Sequence, residues 1–443
     1  MKRKFILSVS LLLSMIFVFS GCSLIDFFSA DALLRAPGLT GENSALQSAV
    51  EAAVGKDISL YFPIAGDYRA SYILFDANND KKDEAVVFYS FNSNKSVVHM
   101  MLLSKNGDKW FTVADIIGSG TEVYKVDFCN IDTTQGLEIA VMWSLDDSKR
   151  EKTLSLYKIS SLEKDADNAL LSVATIQLLD YICLDIDSDS INELLYFYSN
   201  STDDQLSVSA RLLDYIPLDS SFVPLSDVSL SLPITSVFDI NYSKDNNDYL
   251  IFLDCNSPDG SFFTELIMFD YENSALSKPM VRDKYISSLS IRNNNISCRD
   301  FDNDGIIDIP CMLNYEASYV VGYSEESPLR LTFVNWFSYS SDEFYEIGKY
   351  FLNDFDGFSM KINDFYEYYY FVYDYENSVT QVRLKNYNEE NNIVFSIISK
   401  TDSYDFNSLL QDENTKEHKI IISAKGESLS FTQSYIESLI EEY

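Results

Sequence analysis

The sequence predicts a mainly β chain: a β-propeller of about five four-stranded blades, with room for six or seven, followed by a small C-terminal α+β domain. Three observations predict it. An acidic loop returns about every 55 residues, strand-like runs follow the copies, and a turn signal falls about 30 residues after each of the first four loop starts.

The loops read Asp76-Ala-Asn78-Asn-Asp80-Lys-Lys82-Asp-Glu84, Asn130-Ile-Asp132-Thr-Thr134-Gln-Gly-Leu-Glu138 and Asp185-Ile-Asp187-Ser-Asp189-Ser-Ile191-Asn-Glu193. A degraded copy, Asp239-Ile-Asn241-Tyr-Ser243, precedes the cleanest, Asp300-Phe-Asp302-Asn-Asp304-Gly305-Ile306-Ile-Asp308. Their starts lie 54, 55, 54 and 61 residues apart, and self-similarity at a fixed spacing marks a repeat array. Leu74, Phe128, Cys183, Val237 and Cys298 stand two residues before the loops, an apolar position throughout. Runs such as Ala85–Tyr89, Ile139–Trp143 and Leu194–Tyr198 carry the β-branched and aromatic residues that suit strands. Turn signals follow at Asn106-Gly107, Ser160-Ser161, Pro217–Ser220 and Tyr271–Ser274. Asn-Gly between apolar runs is a strong hairpin signal. Four strands in about 55 residues make one propeller blade.

The loop spacing has a chemical reason. Ca²⁺ takes six to eight oxygens, and alternate residues of a tight loop turn side chains inward at positions 1, 3 and 5. A backbone carbonyl serves at position 7 and a carboxylate at 9. The fifth loop fits throughout, with Asp300, Asp302, Asp304, the Ile306 carbonyl and Asp308, and Gly305 at the turn. The third supplies Asp185, Asp187, Asp189, the Ile191 carbonyl and Glu193. The first supplies Asp76, Asn78, Asp80, the Lys82 carbonyl and Glu84. Lys81 and Ser190 stand where glycine is usual, which puts the turn of these two loops in question. The second and fourth loops are expected to hold no metal. Plain acidic turns are the alternative for all of them.

The pattern Asp-x-Asp-x-Asp-Gly-x-x-Asp between strands resembles the FG-GAP and VCBS repeats of extracellular β-propellers. Leu33–Pro37, Thr40–Glu42 and Gly66–Arg69 look like the N-terminal stretch of VCBS-type lipoproteins. The likeness covers roughly residues 30 to 350 and implies a non-enzymatic surface protein.

The first residues fit that picture. Lys2, Arg3 and Lys4 precede an apolar run from Phe5 to Phe19, the layout of an export signal. Phe19-Ser20-Gly21-Cys22 resembles the lipobox of bacterial lipoproteins, in which the cysteine is acylated and becomes the new N-terminus. An ordinary signal peptide and an uncleaved membrane helix are the alternatives, although the run is short of the ~20 residues a span requires. The expected organisation is a leader over 1–21, a lipid-anchored tether and short helix over 22–57, the calcium-loop propeller over 58–350 and the α+β domain over 351–443. Glu42 to Val54 reads as a helix stopped by Gly55, and Thr432 to Glu442 as a closing helix with Tyr435, Ile436, Leu439 and Ile440 inward.

The formal net charge is −35, and cutting away Lys2, Arg3 and Lys4 makes the chain more acidic still. Such a surface is repelled by nucleic acid, whose phosphates need Lys and Arg. Six cysteines, one of them Cys22, leave an odd number behind, which excludes a fully paired disulfide framework. A Cys298–Cys311 bridge stays open, against two buried thiols. His99 and His418 are the only histidines, which disfavours a Ser-His-Asp triad or a His-rich zinc site. The aromatic run Phe365–Tyr373 reads as a strand whose outward half could stack on sugar. These readings converge on a monomeric, lipid-anchored binding or scaffold protein. It would lie on the extracytoplasmic face of a bacterial membrane, with calcium-stabilised repeats and an unidentified extracellular protein or glycan as partner. A cell-surface glycoside hydrolase on a propeller scaffold is the alternative.

Overall fold

The computed structural model describes residues 41–442 except 133–135, 146–147, 165, 201–206, 217–220, 246–247, 282–283, 314–317, 322–330, 354–355, 363–367, 386–391, 400–418 and 423–430. The leader, Cys22, the tether to residue 40, the turn at 217–220 and His418 lie outside the described residues.

Helix α1 (Glu42–Val54) has the bounds its pattern predicts and ends at Gly55, whose φ of 88° suits only glycine without strain. Leu46 and Val50 lie on its buried stripe. Six sheets follow. The first holds β1 (Ile58–Tyr61), β2 (Tyr72–Phe75), β3 (Glu84–Phe91), β4 (Asn94–Asn106) and β5 (Lys109–Ile117). Here β1 and β2 pair with successive halves of β3. The second runs β6 (Glu122–Cys129), β7 (Glu138–Leu145), β8 (Ser148–Ile159) and β9 (Leu170–Leu178). The third runs β10 (Asp180–Leu184), β11 (Glu193–Ser199), β12 (Val208–Ile216) and β13 (Ser221–Ser229). The fourth runs β14 (Ser236–Asp245), β15 (Asp248–Asn256), β16 (Phe262–Asp270) and β17 (Ala275–Ser277). These four are antiparallel meanders in chain order, as the period of the sequence requires. The first acidic loop joins β2 to β3, the second β6 to β7 and the third β10 to β11.

The segment after β17 carries a short helix α2 (Lys284–Leu289) and the fifth loop, which Arg299 and Asp308 close as an isolated bridge. The fifth sheet is β18 (Ile309–Met312), β20 (Thr332–Ser340), β21 (Glu343–Asn353), β22 (Phe358–Lys361) and β27 (Ile440–Glu442). The sixth is β19 (Tyr319–Val321), β23 (Tyr369–Asp374), β24 (Val379–Leu384), β25 (Ile393–Ile398) and β26 (Lys419–Ile422), with β19 parallel to β23.

Three readings change here. The boundary expected between 350 and 351 falls inside β21, where Tyr350 and Phe351 are buried and paired with β20 and β22. The closing helix is a single turn, α3 (Gln433–Glu437), capped by Thr432 Oγ1 accepting from Tyr435 N at 3.2 Å. Beyond it the chain becomes β27, because Ile440 to Glu442 find the free edge of β22. Ile436 is buried and Leu439 and Ile440 pack partly inward, but Tyr435 faces solvent. Finally, Asp239 to Ser243 form no loop. They continue β14 with a bulge beside Asp239.

Apolar cores join consecutive sheets: first to second through Phe88 and Trp143, second to third through Met142 and Leu194. Phe197 and Phe263 join third to fourth, Phe252 and Phe337 fourth to fifth, and Phe351 and Phe371 fifth to sixth. The other face of the first sheet is covered by α1, where Leu46 and Val50 meet Val87, Tyr89 and Met101. Cys298 and Cys311 are buried free thiols in the fourth-to-fifth core, so the bridge between them is not formed.

Candidate metal loops and a charged cavity

The first, third and fifth loops are built on one hydrogen-bond pattern. The position-1 carboxylate accepts from the backbone N–H of position 6: Asp76 from Lys81 at 2.8 Å, Asp185 from Ser190 at 3.1 Å, Asp300 from Gly305 at 2.9 Å. The position-5 carboxylate accepts from position 7: Asp80 from Lys82, Asp189 from Ile191, Asp304 from Ile306, all at 2.8–2.9 Å. Lys81 and Ser190 adopt φ of 66° and 76°, the left-handed turn that Gly305 makes at 92°. The absence of glycine therefore strains these turns by about 1–2 kcal/mol and does not change their path.

The position-9 carboxylate has a structural duty that the sequence did not reveal. One of its oxygens accepts from the N–H of position 2 and closes the loop: Glu84 from Ala77 at 3.1 Å, Glu138 from Ile131 at 2.9 Å. Glu193 accepts from Ile186 at 2.8 Å and Asp308 from Phe301 at 2.9 Å. All four carboxylates are buried.

Carboxylate oxygens lie within 4.8 Å of one another in two groups that could hold a metal ion, Asp185–Asp187–Glu193 and Asp300–Asp302–Asp304. Oδ1 of Asp185 is buried without a hydrogen-bond partner among the described residues, whereas the Ser338 hydroxyl lies beside Asp308 and favours its charged form. Asp189 stays outside the first group and Asp308 outside the second. Burial pushes the Glu193 carboxyl up to about 8, with Asp187, Asp189 and Asp214 adding repulsion. Burial likewise pushes Asp308 up to about 7, helped by Asp302 and Asp304. Asp214 was not legible as part of the site. It stands opposite Glu193, one step beyond the Leu194–Leu213 pair of β11 and β12.

The first loop forms no such group among the described residues. Its Asp80 is engaged by the Lys82 ammonium at 3.4 Å, and the second oxygen of Glu84 accepts from Ser104 at 3.1 Å.

A second feature lies where strands of different sheets converge. A cavity of about 500 Å³ is lined by the 65–69 loop and by the first strands of the second, third and fourth sheets. Asp127, Asp180 and Asp239 line it together with Lys125, Arg69, Tyr68 and Tyr242. Lys125 pairs with Asp127 at 3.2 Å and lies over the Tyr181 ring. Burial pushes the Asp180 carboxyl above its ordinary range, against the pull of Lys125 and Lys152.

The expected sugar platform is mostly buried: of the described part of the aromatic run, Tyr369, Phe371, Val372 and Tyr373 are inside and only Tyr368 is well exposed. His99 accompanies Tyr89 and Asp115 in a local network on the first sheet, away from both candidate sites.

No family model matches the chain, and no curated protein does. A solved structure described as a hypothetical protein from Leishmania major is similar over 67% of this chain and 91% of its own. Its identity is 11% and its TM-score 0.25, too low to bear on the fold.

Proposed function

We propose that the chain is a lipid-anchored extracytoplasmic binding or scaffold protein, its repeats arranged as propeller blades and stiffened by Ca²⁺ in the third and fifth loops. The observation that carries the calcium reading is Asp185, whose buried Oδ1 has no hydrogen-bond partner among the described residues and which stands in one group with Asp187 and Glu193. Such an oxygen is costly to bury without a cation. All-oxygen donors suit Ca²⁺ better than zinc or copper. Blade-like stacking is supported by sheets that follow one another in chain order and by first strands that line one cavity. Anchoring rests on Cys22 and its resemblance to a lipobox.

Calorimetric titration of calcium, with melting in calcium and in EDTA, tests the metal. Two bound ions and a higher Tm are expected, and identical melting curves with no heat of binding would sink it. Pull-down from cell-wall glycans and secreted proteins tests the binding role.

The three carboxylates of the cavity favour one second reading, a glycoside hydrolase. Asp180, whose carboxyl burial raises, would act as acid, and Asp127 or Asp239 as base or nucleophile. Asp180→Asn separates the two readings. It abolishes glycan hydrolysis in the second and leaves glycan retention intact in the first.

A further inference from the structure

The second loop lies between the same strands as its neighbours and closes in the same way, yet its cation place is already taken. Lys158, on β8, stands one step beyond the Ile139–Tyr157 pair and so opposite Glu138, the position-9 carboxylate. Its ammonium makes a close ion pair with Asp132, the position-3 carboxylate. Asp132 and Glu138 are both buried, at 3% and 5% exposure. The gap that Asp132, Glu138 and Lys158 line, floored by Leu156 and Tyr215, has room for about 10 Å³. That is at the lower limit for one water.

The equivalent cross-strand position differs from repeat to repeat. It is Ser104 opposite Glu84, Asp214 opposite Glu193 and Ser338 opposite Asp308. The two repeats with three-carboxylate groups thus carry a small or an acidic residue there, and only the second carries a base. Position 1 of the second loop has also left the cation-binding pattern. Asn130 donates through Nδ2 to Ser190 O at 2.6 Å, and its backbone N–H donates to Asn192 Oδ1 at 2.8 Å. Asn192 N–H returns a bond to Asn130 O at 2.6 Å. The second loop is therefore stitched to the third.

We infer that Lys158 is the resident cation of the second repeat: its tethered ammonium does there what a divalent ion does in the third and fifth, and excludes metal from that loop. This repeat then needs no calcium to hold its loop, and that loop is hydrogen-bonded to the third. The inference rests on reading the third and fifth loops as calcium sites, but its metal-free half stands apart from that reading. A buried carboxylate pair needs a positive charge whichever cation supplies it.

The experiment uses the full chain carrying Cys22→Ser, with Lys158→Ser, Lys158→Arg, Lys158→Met and Asp132→Asn/Lys158→Met variants. In EDTA, Lys158→Ser and Lys158→Met are expected to melt several degrees below the parent, Lys158→Arg close to it, and the double variant above Lys158→Met. Millimolar calcium is expected to restore Lys158→Ser, with one more ion bound per chain than the parent, and not Lys158→Met. Lys158→Met as stable in EDTA as the parent would overturn the inference. So would a double variant no better than Lys158→Met, since a packing role alone predicts that result. An unchanged ion count in Lys158→Ser, with the parent binding calcium, would overturn the metal-excluding role. A parent that binds no calcium would instead sink the reading of the other loops. Should Lys158→Ser fail to fold, Lys158→Arg against the double variant still decides whether charge is what matters.

Discussion

Arg292 and Asp254 form an ion pair from which water is excluded, with side-chain exposures of 1% and 0%. Asp254 on β15 also accepts from Thr264 on β16 and from the Cys298 N–H, each at 2.7 Å. Arg292 also donates to Ile296 O, Ser290 O and Thr264 Oγ1, each at 2.9 Å. The pair thus fastens the 290–298 segment to the fourth sheet, and that segment delivers Asp300 to the fifth loop.

Removing one partner leaves a buried charge without compensation. Arg292→Met is expected to cost about 3–5 kcal/mol in urea unfolding. The Asp254→Asn/Arg292→Met double variant should regain part of it. A loss under ~1 kcal/mol for the single variant would show that water reaches Asp254 after all.

Proton and metal compete for the same carboxylates. Asp308 at about 7 and Glu193 at about 8 are raised above their unfolded values near 4. The folded chain without metal therefore holds protons that the unfolded chain has lost. The contribution of these two groups to stability in EDTA is full below about pH 4 and is lost as pH rises towards 8. With calcium bound the decline should flatten, and calcium affinity should strengthen from pH 6 to pH 8. Melting in EDTA and in calcium across that range checks the sign. Stability in EDTA that rises with pH would contradict it.

Much of this was legible in the sequence because it is local. Alternating apolar runs, Asn106-Gly107 and the loop spacing each act within a few residues, so the meander of the first four sheets and the two acidic clusters of the third and fifth loops followed directly. Cross-strand neighbours were not legible, because they depend on hairpin registers and bulges. Lys158 and Asp214 fall at slightly different distances from their loop starts. The reach of Ile440–Glu442 back to β22 is a pairing across some 80 residues that no local pattern announces, and the same segment reads as a helix by its spacing. Asp239 looked like a weak loop because its residue types survive, although a bulged strand has replaced the turn.

The left-handed turns give a third test. Lys81 and Ser190 hold φ of 66° and 76°, a conformation that costs a side chain about 1–2 kcal/mol. Lys81→Gly and Ser190→Gly should each raise stability by a few tenths to ~1 kcal/mol, the relief being partly offset by the freer unfolded chain. Gly305→Ala should lower it by about 1 kcal/mol. Ser190→Gly is also expected to tighten calcium binding if strain in the empty loop opposes it. A Gly305→Ala variant that melts with the parent would show that the turn relaxes.

The fourth test concerns how closely the first two sheets meet. The connection from β5 to β6 passes over the Trp143 ring, which is 1% exposed. Gly118 donates its N–H to Val98 O at 2.8 Å there. A Cβ at Gly118 would fall 2.2 Å from a Trp143 ring carbon, and one at Gly120 2.6 Å from Ser144 O. Neither glycine has a positive φ, so what excludes a side chain is space rather than backbone conformation. Gly118→Ala must displace the indole from the core it shares with Phe88, and a cost of about 1–3 kcal/mol is expected. Trp143→Phe removes the clashing ring, so in that background the same substitution should cost much less. Equal costs in both backgrounds would mean that the connection, and not the ring, gives way.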